Sequence, residues 1–133
     1  MIVADTNLIA YFLVKGPHTE DAEAVFEKDR DWVAPLLWRS EFRNVLILSL
    51  RQARLTLGDT LGFMNRAERL MKGQGYQVDS SRVLRLAAES GCSAYDCEFV
   101  ALAQDLGVPL VTADRALIEK FTPAVVSMKD FCS

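Results

Sequence analysis

Met1-Ile2-Val3-Ala4-Asp5-Thr6-Asn7 is the stretch that decides how the rest of the chain is read. A short apolar run, Ile2 to Ala4, predicts a buried strand, and it stops abruptly on a carboxylate with a second polar residue two positions on. Taken alone, Asp5 is equally well read as the N-cap of a helix, because the segment that follows, Leu8 to Val14, is apolar and helix-compatible. Three further acids, Glu41, Asp96 and Asp114, stand where a solvated carboxylate is not expected, and they are read as converging on Asp5.

Outward from that stretch, Lys15-Gly16-Pro17-His18 is turn chemistry, and a helix over Thr19 to Lys28 places Ala22, Val25 and Phe26 on one face. His18, the single histidine, sits beside a proline at a helix start, where a surface or capping role outweighs one as ligand or base. Trp32 to Pro35 is a second short strand, ended by the proline. A long helix from Leu36 or Leu37 to Gln52 carries Leu37, Val45 and Leu48 in one stripe, with Glu41 inside it. An acid on the core side of a helix is informative, although a buried ion pair with an arginine of another element would also explain it. Leu57 to Met71 predicts another helix, whose Arg66, Arg69 and Lys72 suit a solvated C-terminal end. Gly73-Gln74-Gly75 breaks that helix ahead of a minor edge strand, Tyr76 to Val78.

Asp79 or Ser80 caps a helix over Arg82 to Glu89 that Gly91 stops. The next helix opens with Ser93-Ala94-Tyr95-Asp96 and aligns Asp96 with Phe99, Val100, Ala103 and Leu106, so an acid of its first turn points along its buried stripe. The helix dipole alone would also favour an acid there. Glu98 falls on another face and is read as solvated. Gly107-Val108-Pro109 turns the chain into a strand over Leu110 to Thr112, ended by Ala113-Asp114, and Asp114 is by itself an ordinary N-cap for a short helix, Ala116 to Lys120. Thr122-Pro123 leads into a last strand, Ala124 to Ser127. Strands alternating with helices imply an α/β fold with a parallel sheet covered on both faces, and ligands in such sheets bind outside the carboxyl ends where strand order reverses.

Half of the 133 residues are apolar, enough for the core of one domain, and no repeat or linker divides the chain. Fifteen basic against eighteen acidic residues leave a net charge of −3, which argues against sequence-blind, long-range attraction to a polyanion. Cations bound at an acidic site would reverse the sign locally. Cys92, Cys97 and Cys132 lack zinc-site spacing and read as free thiols of a reducing compartment. No signal-peptide pattern precedes Asp5, and no apolar run approaches the ~20 residues of a membrane span, so the expected location is cytoplasmic, without a membrane partner.

Two like charges about 4 Å apart repel by ~4 kcal/mol at an effective dielectric of 20, and four clustered carboxylates make several such pairs. No domain of ordinary stability holds that cluster ionised without protons or cations to compensate it. Donors that are all oxygen favour Mg²⁺ or Mn²⁺ over zinc. Such cations activate water and clamp a phosphodiester, so the predicted chemistry is phosphodiester hydrolysis by metal-activated water.

At Ala4-Asp5-Thr6-Asn7, Ser40-Glu41, Ala94-Tyr95-Asp96 and Val111-Thr112-Ala113-Asp114 the sequence resembles the PIN-domain nucleases, specifically the VapC-like ribonuclease toxins of bacterial and archaeal toxin–antitoxin pairs. The resemblance runs through essentially the whole chain. It implies a single PIN domain over residues 1–133, with three α/β/α layers around a central parallel sheet of four to five short strands. It places a metal site for Mg²⁺ (or Mn²⁺) on Asp5, Glu41, Asp96 and Asp114, with supporting hydrogen bonds from Asn7 and Thr112, both of which also suit plain capping or strand-end roles. It further implies cleavage of single-stranded or loop RNA, a homodimer, and a small antitoxin that covers the site. Arg39 and Arg43 beside Glu41, or Arg51 and Arg54 further along, are candidate phosphate binders, with a solvated helix face as the plainer account. Two other readings stay open. One is a non-catalytic PIN-like RNA- or protein-binding module. The other is a phosphatase with Asp5 as nucleophile, weakened by Asn7 standing where a second aspartate is usual and by the absence of a well-placed lysine.

Overall fold

The first strand owes its place to having no polar side chain. Ile2, Val3 and Ala4 are fully buried, and a strand buried on both faces belongs in the middle of a parallel sheet. In the computed structural model, which describes residues 1–133, that strand is β1 (Ile2–Ala4), followed by α1 (Thr6–Leu13), α2 (Thr19–Lys28), β2 (Trp32–Pro35) and α3 (Trp38–Arg51). Then come α4 (Leu57–Leu70), β3 (Gly75–Tyr76), α5 (Ser80–Ser90) and α6 (Ala94–Leu106). The chain closes with β4 (Leu110–Val111), α7 (Arg115–Phe121), β5 (Val125–Val126) and α8 (Met128–Cys132).

All strand pairings are parallel, in the order β3-β2-β1-β4-β5. Val3 stands opposite Val33 on one side and Leu110 on the other, and Ala4 stands opposite Val111. The chain steps outward from β1 to β2 and β3, then returns past β1 to lay down β4 and β5. That reversal falls between β1 and β4, and a crevice opens outside their carboxyl ends. The N–H of Asp5 donates to the Val111 carbonyl at 3.2 Å, which carries the ladder one residue past β1 and fixes Asp5 at the crevice.

Helices cover both faces, giving the three α/β/α layers. Helix α6 lies across β1, β2 and β4 with α5 against it, while α1 to α4 and α8 pack on one another. The main core cluster of 25 buried residues draws on β1, β2, β4 and β5 as well as on α1, α3 and α6, so both layers share it. Phe12, Phe26 and Trp32 form an aromatic group with centroids 4.6 to 5.4 Å apart, which closes the amino end of β2 against α1 and α2. No helix is long and apolar enough to cross a membrane, and the three cysteines are unpaired.

The stripe expected on α3 is displaced. Its core side is Trp38, Phe42 and Leu46, whereas Leu48 is 46% exposed and Leu37 and Val45 are half-buried. Trp38 and Phe42, edge-on with centroids 6.3 Å apart, bury more apolar surface than the aliphatic set and turn their own face to the core. Glu41 therefore lies beside the core rather than in it. Other boundaries differ by a residue or two: α1 starts at Thr6, ahead of Leu8, and the minor strand is Gly75–Tyr76 rather than Tyr76–Val78. Its place follows β2, because Ala34 N–H takes the Gln74 carbonyl and Leu36 N–H the Tyr76 carbonyl. Helix α8 has no counterpart in the sequence reading; Ser127 caps it by accepting the Asp130 N–H at 3.0 Å.

Candidate active site

Asp5 is held from two sides. It is the N-cap of α1 with extended backbone (φ −63°, ψ 152°), and its two oxygens accept different donors. Oδ1 takes the N–H of Thr6 at 2.8 Å and Oδ2 the hydroxyl of Thr112 at 2.5 Å. Thr112 is fully buried, and its hydroxyl oxygen accepts the N–H of Asp114 at 3.0 Å. One hydroxyl thus ties the acid that ends β1 to the acid that follows β4. Burial pushes the Asp5 carboxyl up to about 6; the bonds from Thr112 and Thr6 pull it down, and the charges of Glu41 and Asp96 add to the rise.

Glu41 enters from the first turn of α3, and its Oε1 accepts the hydroxyl of the buried Thr6 at 2.7 Å. The half-buried acid is therefore matched with a threonine and not with an arginine, which disposes of the ion-pair alternative. Burial raises the Glu41 carboxyl, Thr6 opposes that, and Asp96 and Glu98 repel it further. Asp96 comes from the first turn of α6, where Ser93 accepts its N–H at 3.0 Å and does the capping. Its carboxyl is raised by burial and then by the charge of Asp114, against the Ser93 bond. Asp114 uses Oδ1 to cap α7, accepting the N–H groups of Ala116 at 2.9 Å and Leu117 at 3.2 Å. For Asp5 and Asp114 the capping role and a place in the cleft hold together.

Asp5, Glu41, Asp96 and Asp114 line one cleft of about 210 Å³, completed by Thr6, Asn7, Asn44 and Val45. Thr112 supports it from beneath. None of the four candidate arginines lines it: Arg39 lies 3.9 Å from Glu68 on α4, and Arg43, Arg51 and Arg54 are exposed. Thr6, Asn44 and Glu98 escaped the sequence reading. Thr6 carried a usable signal, a β-branched hydroxyl between two polar residues at the end of a buried strand. Glu98, expected to be solvated, is half-buried, and burial raises its carboxyl.

By chemistry the donor set suits a hard divalent cation, since it is all oxygen with no thiolate or imidazole. No three of the acidic side chains close on a common point at ligand distance.

A parallel sheet reversing at β1 and β4, with four acids gathered at the reversal, defines a class that comparison identifies: the PIN domain family matches residues 2–121, and the chain belongs to it. Ribonuclease VapC3 of Pyrobaculum aerophilum is 29% identical over 129 residues, which cover 95% of this chain and 98% of that protein. Among solved structures, one of a Pyrobaculum aerophilum protein superposes with a TM-score of 0.77 at 22% identity, covering 98% of this chain and 85% of that one. FitAcB from Neisseria gonorrhoeae gives 0.70 at 20% identity, covering 97% and 99%. The likeness to VapC proteins noted in the short motifs is borne out over nearly the full length.

Proposed function

We propose that the chain is a Mg²⁺- or Mn²⁺-dependent endoribonuclease and the toxin of a toxin–antitoxin pair, acting as a single domain. The observation that carries this reading is the meeting of Asp5, Glu41, Asp96 and Asp114 in one cleft at the point where strand order reverses. Similarity to Ribonuclease VapC3 supports it. Asp5, Glu41, Asp96 and Asp114 would hold the cation, which when bound lowers the pKa of water and neutralises charge on a phosphodiester. Burial, with a smaller share from their mutual repulsion, raises three of these carboxyls above their ordinary range, and a bound cation would favour their ionised forms. Thr112 fixes Oδ2 of Asp5, Thr6 fixes Oε1 of Glu41, and Asn7 offers an amide at the rim. The partners we assign are RNA, a small cognate antitoxin and a second copy of the chain, in the cytoplasm.

The test is cleavage of a structured RNA pool by purified protein with Mg²⁺, with Mn²⁺ and with EDTA, beside Asp5→Asn and Asp96→Asn. Cation-dependent cutting that both substitutions abolish is expected. Equal cutting by wild type and variants would assign the activity to a contaminant and reject the site.

A further inference from the structure

A second hollow opens on the same edge of the sheet as the acidic cleft. It has a volume of about 560 Å³, and Leu36, Tyr76, Val78, Val83, Leu84 and Glu98 line it. Leu36 follows β2 and Tyr76 ends β3, so the hollow lies at strand carboxyl ends, as Asp5 and Thr112 do. Glu98 links the two neighbourhoods: it lines the hollow, and it stands on α6 two residues after Asp96, which lines the cleft. The mouth is built from apolar side chains turned to water, with Leu36 48% and Leu84 65% exposed. Leu36 is seated against Gly75, where an added Cβ would come within 2.8 Å of its Cδ2.

Resting on the ribonuclease reading, we propose that this hollow receives the base adjoining the scissile phosphate, and that Glu98 selects guanine by accepting hydrogen bonds from its Watson–Crick edge. A volume of this size is ordinary for a small-ligand site, and a lining that is chiefly aromatic and aliphatic, with Gln77, Ser80 and Glu98 as its polar members, suits the face of an unstacked base. A carboxylate offers acceptors only. Guanine presents two adjacent donors, N1–H and N2–H, which match its two oxygens. Adenine and cytosine present one amino group beside a ring nitrogen whose lone pair the carboxylate repels, and the N3–H of uracil is flanked by two carbonyl oxygens. The negative charge also keeps phosphates out of the hollow, so the backbone stays on the side of the cleft. Mispaired polar groups in a site of this kind discriminate strongly.

Methyl NMR of the full chain tests this, with Ca²⁺ in place of Mg²⁺, titrated with single-stranded RNA pentamers that carry guanosine, inosine or adenosine at the central position. The guanosine pentamer should shift the methyl signals of Leu36, Val83 and Leu84 with an affinity about tenfold above the other two. Glu98→Gln should erase that preference, and Leu84→Ser should weaken all three pentamers alike. Equal affinities in the wild type, or shifts confined to the acidic cleft, overturn the proposal. Shifts that grow with protein concentration in the absence of RNA also overturn it, and assign the hollow to a second copy of the chain. Binding is read without turnover, so guanine selection by a protein that cuts no RNA would reject the nuclease reading alone.

Discussion

Replacing Asp5 with asparagine should stabilise the protein at neutral pH while removing one of the proposed cation ligands. Burial holds the folded Asp5 carboxyl at about 6, against an ordinary 3.8. The folded chain therefore binds this proton more tightly than the unfolded chain does. The associated stability is fully present below pH 3.8 and is lost as pH rises through 6. The difference corresponds to about 3 kcal/mol lost by pH 7.5. Asparagine carries no charge to bury, but its amide NH₂ faces the Thr112 hydroxyl, which must then accept instead of donate. That costs about 0.5–1.5 kcal/mol. Asp5→Asn should thus gain about 2 kcal/mol at pH 7.5 and lose about 0.5 kcal/mol at pH 4, where the wild type has already given up about 0.5 kcal/mol. Urea unfolding at both pH values, in EDTA and with unchanged m-values, reads this directly. A variant that is less stable than wild type by the same amount at both pH values would refute the account of a charge held at a cost.

Thr112→Val keeps the shape of a buried side chain but removes the donor to Asp5 and the acceptor for Asp114 N–H. A loss of about 2–3 kcal/mol is expected in urea at pH 7.5, and NMR titration should find the Asp5 carboxyl above its wild-type value; an unmoved Asp5 would show that the bond does not hold it. At the end of α3, Ala53 has φ +59°, while Arg54 N–H donates to the Ser49 carbonyl and Gln52 N–H to that of Leu48, a left-handed helix stop that favours glycine. Ala53→Gly should raise stability by about 0.5–1 kcal/mol, since relief of the side-chain clash outweighs the added freedom of the unfolded chain; a lower melting temperature would contradict this.

The sequence made Asp5, Asp96 and Asp114 legible because each ends a strand or opens a helix, and both kinds of boundary leave local signals. Strand order leaves none. Nothing in the two residues Leu110 and Val111 says that they pair with β1, so the reversal that creates the crevice came only with the fold. Aliphatic spacing misplaces the face of α3, because Trp38 and Phe42, with more surface to bury, set the helix rotation. Glu98 was assigned to water from its angle on α6 alone. Its surroundings are supplied by Leu36, Tyr76 and α5, which are remote in sequence. The five-residue α8 is too short to show a period.

The four acids do not carry equal structural duties. Asp114 caps α7 with one oxygen and Asp5 accepts the first N–H of α1, whereas α6 is capped by Ser93 and α3 takes no cap from Glu41. A copy of this gene released from selection for activity would still be penalised for losing Asp114, through the helix it starts, and could shed Asp96 or Glu41 with little harm to folding. In related chains an intact aspartate at the last of these positions is thus weak testimony of a working enzyme. Asp5, whose charge is held at a cost, and the middle pair, Glu41 and Asp96, are where decay of function would first be written.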